Sequence, residues 1–138
     1  MAYETKLQLK KEIIMRIIAT EKAPAAIGPY SQGVAMNGFV FVSGQLPINP
    51  ETGDITTENA KDMTRQAMKN IEEILTEAGS SLDKIVKTTI YVTDLKLFGE
   101  VNQAYSEFFG DNPPARSCVQ VSALPKGAGI EIEVIAYM

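Results

Sequence analysis

Ile130-Glu131-Ile132-Glu133-Val134-Ile135-Ala136-Tyr137 decides the fold, because apolar and acidic residues alternate along most of it. Successive side chains of a strand point to opposite faces. Ile130, Ile132, Val134 and Ala136 therefore share one face, and Glu131, Glu133, Ile135 and Tyr137 share the other. A strand with one apolar face needs a second layer over it. Upstream, Ser117 to Ala123 reads as another strand, with Arg116, Cys118, Gln120 and Ser122 on one face and Ser117, Val119 and Val121 on the other. Ile85 to Val92 is rich in β-branched residues and reads as a third. Two helices supply the cover. From about Glu58 the period lengthens, and Ala60, Met63, Ala67, Ile71, Ile74, Leu75 and Ala78 recur at three- and four-residue steps. Gly79 suits the stop of that helix. Asp94 can cap the next one, whose stripe is Phe98, Val101, Tyr105 and Phe108 and whose end is marked by Gly110 and Pro113-Pro114.

Nearer the start, Val34 to Met36 and Phe39 to Val42 flank Asn37-Gly38, a strong signal for a type I′ hairpin. Asn49-Pro50-Glu51-Thr52-Gly53 reads as a loop. The pattern predicts one α+β or α/β domain: a sheet of about six strands with two helices packed on one face.

The chain has 138 residues, enough for one domain with a real core. It contains no histidine, no tryptophan and one cysteine. A histidine-dependent nucleophile system, an HExxH zinc site and an internal disulfide are thereby excluded. The formal net charge of −4 disfavours a nucleic-acid partner. No apolar run is long enough to span a bilayer. One free thiol and no export signal point to the cytoplasm. Residues 1–14 form a charged lead-in before Met15. Two readings stand for it: an N-terminal extension, or a misassigned start with translation beginning at Met15. Residues 15–138 then form the single domain.

If the apolar strand faces meet the helices, Arg116, Cys118, Gln120, Glu131 and Glu133 line the other side of the sheet. Alternating Arg and Glu there are usually a solvated face or cross-strand ion pairs. Ile135, Tyr137 and a cysteine among them suggest instead a subunit contact or a cleft between subunits. Gly28-Pro29-Tyr30-Ser31 is a turn or part of a site. Ser43-Gly44-Gln45 either ends a strand or presents a hydroxyl and backbone N–H groups to a ligand. Gly127-Ala128-Gly129 is too short for a dinucleotide fingerprint. Cys118 reads as a small buried residue more than as a nucleophile. Asp54, Glu58, Glu72 and Glu73 have no metal-ligand spacing.

Four segments stand in a telling order: Ala23-Pro24-Ala25-Ala26-Ile27-Gly28-Pro29-Tyr30-Ser31-Gln32, Ser43-Gly44-Gln45-Leu46-Pro47, Pro114-Ala115-Arg116-Ser117-Cys118-Val119 and Ile130-Glu131-Ile132-Glu133. From about Met15 to Met138 the chain resembles the RidA/YjgF family of reactive-intermediate (2-iminobutanoate/2-iminopropanoate) deaminases. The resemblance implies a chorismate-mutase-like α+β fold and a homotrimer with a central barrel and active sites between subunits. It implies hydrolysis of 2-imino acids, or their enamine tautomers, to 2-oxo acids and ammonia, with no metal and no cofactor. By the same resemblance Arg116 grips the substrate carboxylate and Glu131 orients the attacking water. Tyr30, Ser43, Gly44, Asn102 and Cys118 line the substrate pocket, with Tyr30 closing over it. Gln120 departs from the glutamate many relatives carry. A non-catalytic 2-oxo acid-binding or regulatory protein is the alternative. Nucleic-acid cleavage, suggested for relatives, fits poorly with the acidic balance and missing histidine.

Overall fold

The computed structural model describes residues 14–138; the lead-in, apart from Ile14, lies outside the described residues. Six strands and two α-helices follow in the order β1 (Arg16–Ile18), β2 (Gly33–Met36), β3 (Phe39–Gln45), α1 (Ala60–Ala78), β4 (Ile85–Val92), α2 (Phe98–Ser106), β5 (Ala115–Gln120) and β6 (Ile130–Tyr137). They form one mixed sheet in the order β1-β2-β3-β6-β4-β5. The β4–β5 pair is parallel and the other pairs are antiparallel. Each helix is a crossover: α1 carries the chain from β3 past β6 to β4, and α2 carries it from β4 to β5. Both crossovers join parallel strands and move the same way across the sheet. Right-handed connections then put both helices on one face.

The hairpin forms as its turn demands. Asn37 and Gly38 both have positive φ, 51° and 79°, the signature of a type I′ turn. The Asn59 side chain accepts from the Asp62 N–H to start α1, and Gly79 at φ 85° ends it. The stripe read from the sequence is the buried face of α1, joined by Thr64, Met68 and Asn70. Ala67, Met68, Ile71 and Ile74 are sealed against β6 and β3. Each full burial of such an isoleucine is worth about 1.5–3 kcal/mol.

Three boundaries differ from the sequence reading. β1 was not foreseen, being three residues long at a sheet edge and exposing Ile17. β5 runs from Ala115 to Gln120 rather than from Ser117 to Ala123, because its pairing with β4 starts at Lys87↔Ala115 and β4 ends at Val92. Asp94 caps a short 3₁₀ turn, Leu95–Leu97, that leads into α2.

One expectation is corrected outright. Arg116 and Cys118 do not share a face with Glu131 and Glu133. In register, Arg116 pairs with Thr88 and Cys118 with Ile90, and both β4 partners are fully buried under the helices. Glu131 pairs with Tyr91 and Glu133 with Thr89 on the open side. Alternation sorts the residues of each strand into two sets but does not say which sets coincide when β4 separates the strands. On the edge strand β5 the apolar Val119 is turned outward, 44% exposed.

No helix among the described residues is long and apolar enough to cross a membrane.

Candidate active site

β3 and β6 lose register between Val42 and Gln45. The extra residue makes a bulge at Ser43-Gly44, the kind of irregularity that re-aims a strand end. Glu131 fills the space this creates. A Cβ on Gly44 would overlap Glu131 Oε1 and stand 2.7 Å from its Cδ. The carboxylate therefore lies against the bare backbone of position 44.

Ser43 ties the strand end to the segment before β2. Its N–H donates to Gln32 O at 2.9 Å, and its hydroxyl donates to Ser31 O at 2.5 Å. Tyr30 is held by its own turn: its N–H donates to Gly28 O at 2.9 Å, and its hydroxyl accepts from Ile27 N–H at 3.4 Å. Behind it, Gln32 donates to the carbonyls of Thr20, Ala23 and Pro24 and accepts from Thr20 N–H. Tyr30, Ser43, Gly44 and Glu131 thus meet around one cavity of about 680 Å³. Its apolar wall includes Ile27, Leu46 and Ile48, and its polar wall adds Glu133 and Lys126.

Burial pushes the Glu131 carboxyl above the usual carboxylate range, and the negative charge of Glu133 adds to the rise. A carboxylate so placed holds a proton more firmly than a solvated one. The Tyr91 hydroxyl donates to Glu133 Oε1 at 2.9 Å, and that bond, with burial, raises the phenol's own pKa.

Arg116 belongs to a second cavity, of about 530 Å³, on the helix side. Its guanidinium carbon lies 5.4 Å and 5.0 Å from the ring centres of Phe98 and Tyr105. Its Nη1 donates to Asn102 Oδ1 at 2.6 Å. Tyr105 is fixed in turn by a bond from its hydroxyl to Thr88 Oγ1 at 3.1 Å. Among the described residues no carboxylate pairs with Arg116. A rigid, charged, planar donor is left for an outside carboxylate, which it can grip with two parallel bonds.

Cys118 follows on the same face and packs against the core. Burial raises its thiol above the ordinary value, and the nearby Arg116 only partly opposes this. It lines neither of the two cavities, and it has little thiolate to offer at neutral pH.

The structure therefore brings together four of the predicted residues, Tyr30, Ser43, Gly44 and Glu131. It joins Asn102 to Arg116 elsewhere. Within one chain these two groups face away from each other. Sequence reasoning took Phe98 and Tyr105 as core alone and missed their hold on Arg116. It also missed Lys126, a cavity residue at φ 58°; Pro125 before it and Gly127 after it were the only hint of an unusual turn.

Residues 20–138 match the protein-family model described as endoribonuclease L-PSP. A RutC family protein of Pyrococcus abyssi is 52% identical over 121 residues, 88% of this chain and 95% of the relative. The 2-iminobutanoate/2-iminopropanoate deaminase of Homo sapiens is 44% identical over 124 residues, 90% of each chain. Among solved structures, the Rid family protein YyfA of Yersinia pestis superposes with a TM-score of 0.88 at 52% identity, covering 91% of this chain and 100% of that one. With family model, sequence identity and backbone in agreement over nearly all the described residues, the chain belongs to the endoribonuclease L-PSP family, also called the YjgF/RidA family.

Proposed function

We propose that this protein hydrolyses 2-imino acids, or their enamine tautomers, to 2-oxo acids and ammonia, in a site that two copies of the chain build together. The carrying observation is the pair of half-sites: a guanidinium clamped by Asn102 with no carboxylate partner among the described residues, and a carboxylate seated in a β-bulge. Each half lacks what the other has.

The chemistry follows from the groups. Arg116, steadied by Asn102, Phe98 and Tyr105, grips the substrate carboxylate. Water held by Glu131 adds to C2 of the protonated imine, its proton passing to Glu131 and the C=N electron pair to nitrogen, which leaves a neutral carbinolamine. The carbinolamine then collapses: the carboxyl gives its proton to nitrogen, the C–N bond breaks with its electron pair leaving on ammonia, and C=O forms as the hydroxyl proton passes back to the Glu131 carboxylate and on to solvent. Substrate reactivity supplies the electrophile, so placement does most of the catalysis and neither metal nor cofactor is called for. Tyr30 covers the cavity mouth.

The open face of the sheet supports assembly. Phe39, Phe41, Tyr137, Val119 and Ile17 are exposed there, an apolar area of the kind a partner covers. A homotrimer around a central barrel of these sheets would set Arg116 of one copy beside Glu131 of the next. The cytoplasm, where imines leave amino-acid dehydratases, is the compartment this reading implies.

The test is turnover. Purified protein is added to a threonine or serine dehydratase, and decay of the imine is followed. Acceleration that disappears in Arg116→Ala and in Glu131→Ala is the expected result. Saturable binding of 2-oxobutanoate with no acceleration would replace the enzyme by a 2-oxo acid sensor.

A further inference from the structure

Glu133 stands two residues beyond Glu131 on the same face of β6, and both carboxylates line the first cavity. Glu133 is not free to turn away. The Tyr91 hydroxyl, from the neighbouring strand β4, donates to its Oε1 at 2.9 Å. Tyr91 itself is paired in register with Glu131. One phenol thus fixes the second carboxylate while standing directly across from the first.

We propose that Glu133, held by Tyr91, is a positioning residue that acts through Glu131, keeping a fixed negative charge beside the carboxylate that takes the proton from water. The proposal rests on the imine-hydrolase reading for its catalytic meaning. Two neighbouring carboxylates resist carrying charge together, and the one in the drier place keeps its proton to higher pH. Glu131 is the one pressed on the bare backbone of Gly44, and burial there raises its pKa. The other groups facing it are Tyr91 on β4, the Ser43-Gly44 bulge on β3, and Tyr30 and Lys126 from the loops around the cavity. Of the described residues only Glu133 and Lys126 bring a full charge to that cavity beside Glu131. A base that holds its proton too weakly takes it poorly from water, so the extra charge improves the match to the task.

The test uses Glu133→Gln and Tyr91→Phe, both close in shape to the parent residues. Carboxyl carbons of the ligand-free full chain are labelled, and Glu131 is titrated by NMR, its signal assigned by its loss in Glu131→Gln. Glu133→Gln should move the Glu131 midpoint to lower pH, and Tyr91→Phe should move it part of the way. The acid limb of the kcat profile for imine hydrolysis should shift in the same direction. Plateau kcat should fall several-fold with KM little changed. A Glu131 midpoint unmoved by either substitution overturns the proposal. If the wild-type chain hydrolyses no imine, the functional reading fails, while the NMR midpoint still decides whether Glu133 governs Glu131.

Discussion

The Glu131 carboxylate occupies the volume that any side chain at position 44 would need. Glycine is required there for space, not for an unusual backbone angle. Gly44→Ala should force either Glu131 out of its seat or the β3–β6 bulge apart. Overpacking of this kind costs about 1–3 kcal/mol. Displacing the base by an ångström costs on the order of 100-fold in rate. The expected result is a modest fall in melting temperature, a large fall in kcat for imine hydrolysis and little change in KM. Full activity in Gly44→Ala would mean that the observed pose of Glu131 is not the working one.

A site shared between copies has a distinctive consequence. Arg116→Ala and Glu131→Ala should each be inactive alone. Mixed, unfolded together and reassembled, they should regain activity, because some interfaces pair the intact arginine of one copy with the intact glutamate of the other. Random mixing in equal parts makes about a quarter of head-to-tail sites whole. Activity that stays at zero in verified mixed oligomers would place both groups in one chain's site. The opposite faces of Arg116 and Glu131 in the register of β4, β5 and β6 argue against that outcome.

Those opposite faces also mark where the sequence stopped being legible. The long helix, the Asn37-Gly38 hairpin and both ends of β4 and β6 were readable, because period, caps and turn residues are local signals. The face of Arg116 was not. It depends on the parallel register of β5 against β4, set by the length of the α2 crossover and by burial of Thr88 and Ile90. Likewise, the motif segments pointed to Tyr30, Ser43, Gly44 and Glu131, but not to the Phe98 and Tyr105 rings that hold Arg116. Those rings occupy stripe positions that any buried helix would fill with aromatics.

Glu131 links activity to stability with opposite signs. As a base it works only when ionised, so kcat should fall as pH drops through its raised value. Folding is affected the other way. A carboxyl whose pKa is raised in the native state binds its proton more tightly there than in the unfolded chain. Its stabilising contribution is full below the ordinary carboxylate range and is lost as pH rises through the raised value. Glu131→Gln removes that loss. The variant should be inactive yet melt higher than wild type at neutral pH, with the difference shrinking as the solution is acidified. Thermal melts across that range check it; equal melting at neutral pH would show that the seat of Glu131 carries no desolvation cost.

Asn70 sets the floor of the first cavity from behind. It is only 1% exposed on α1, and its Nδ2 donates to Leu46 O at 3.1 Å and Ile48 O at 2.9 Å. Its Oδ1 accepts from Gln66 Nε2 at 3.0 Å. Leu46 and Ile48 belong to the apolar wall that Glu131 faces. Asn70→Ala leaves two carbonyls without their donor, at a cost of about 1–3 kcal/mol. Asn70→Asp should be worse, since a carboxylate only accepts and would meet both carbonyls with repulsion. Because the loop shapes the cavity without touching the reacting atoms, KM for the imine should rise in Asn70→Ala more than kcat falls. Melting curves and steady-state kinetics on the two variants decide it. Equal stability of the alanine and aspartate variants would mean that the loop carbonyls do not depend on this donor.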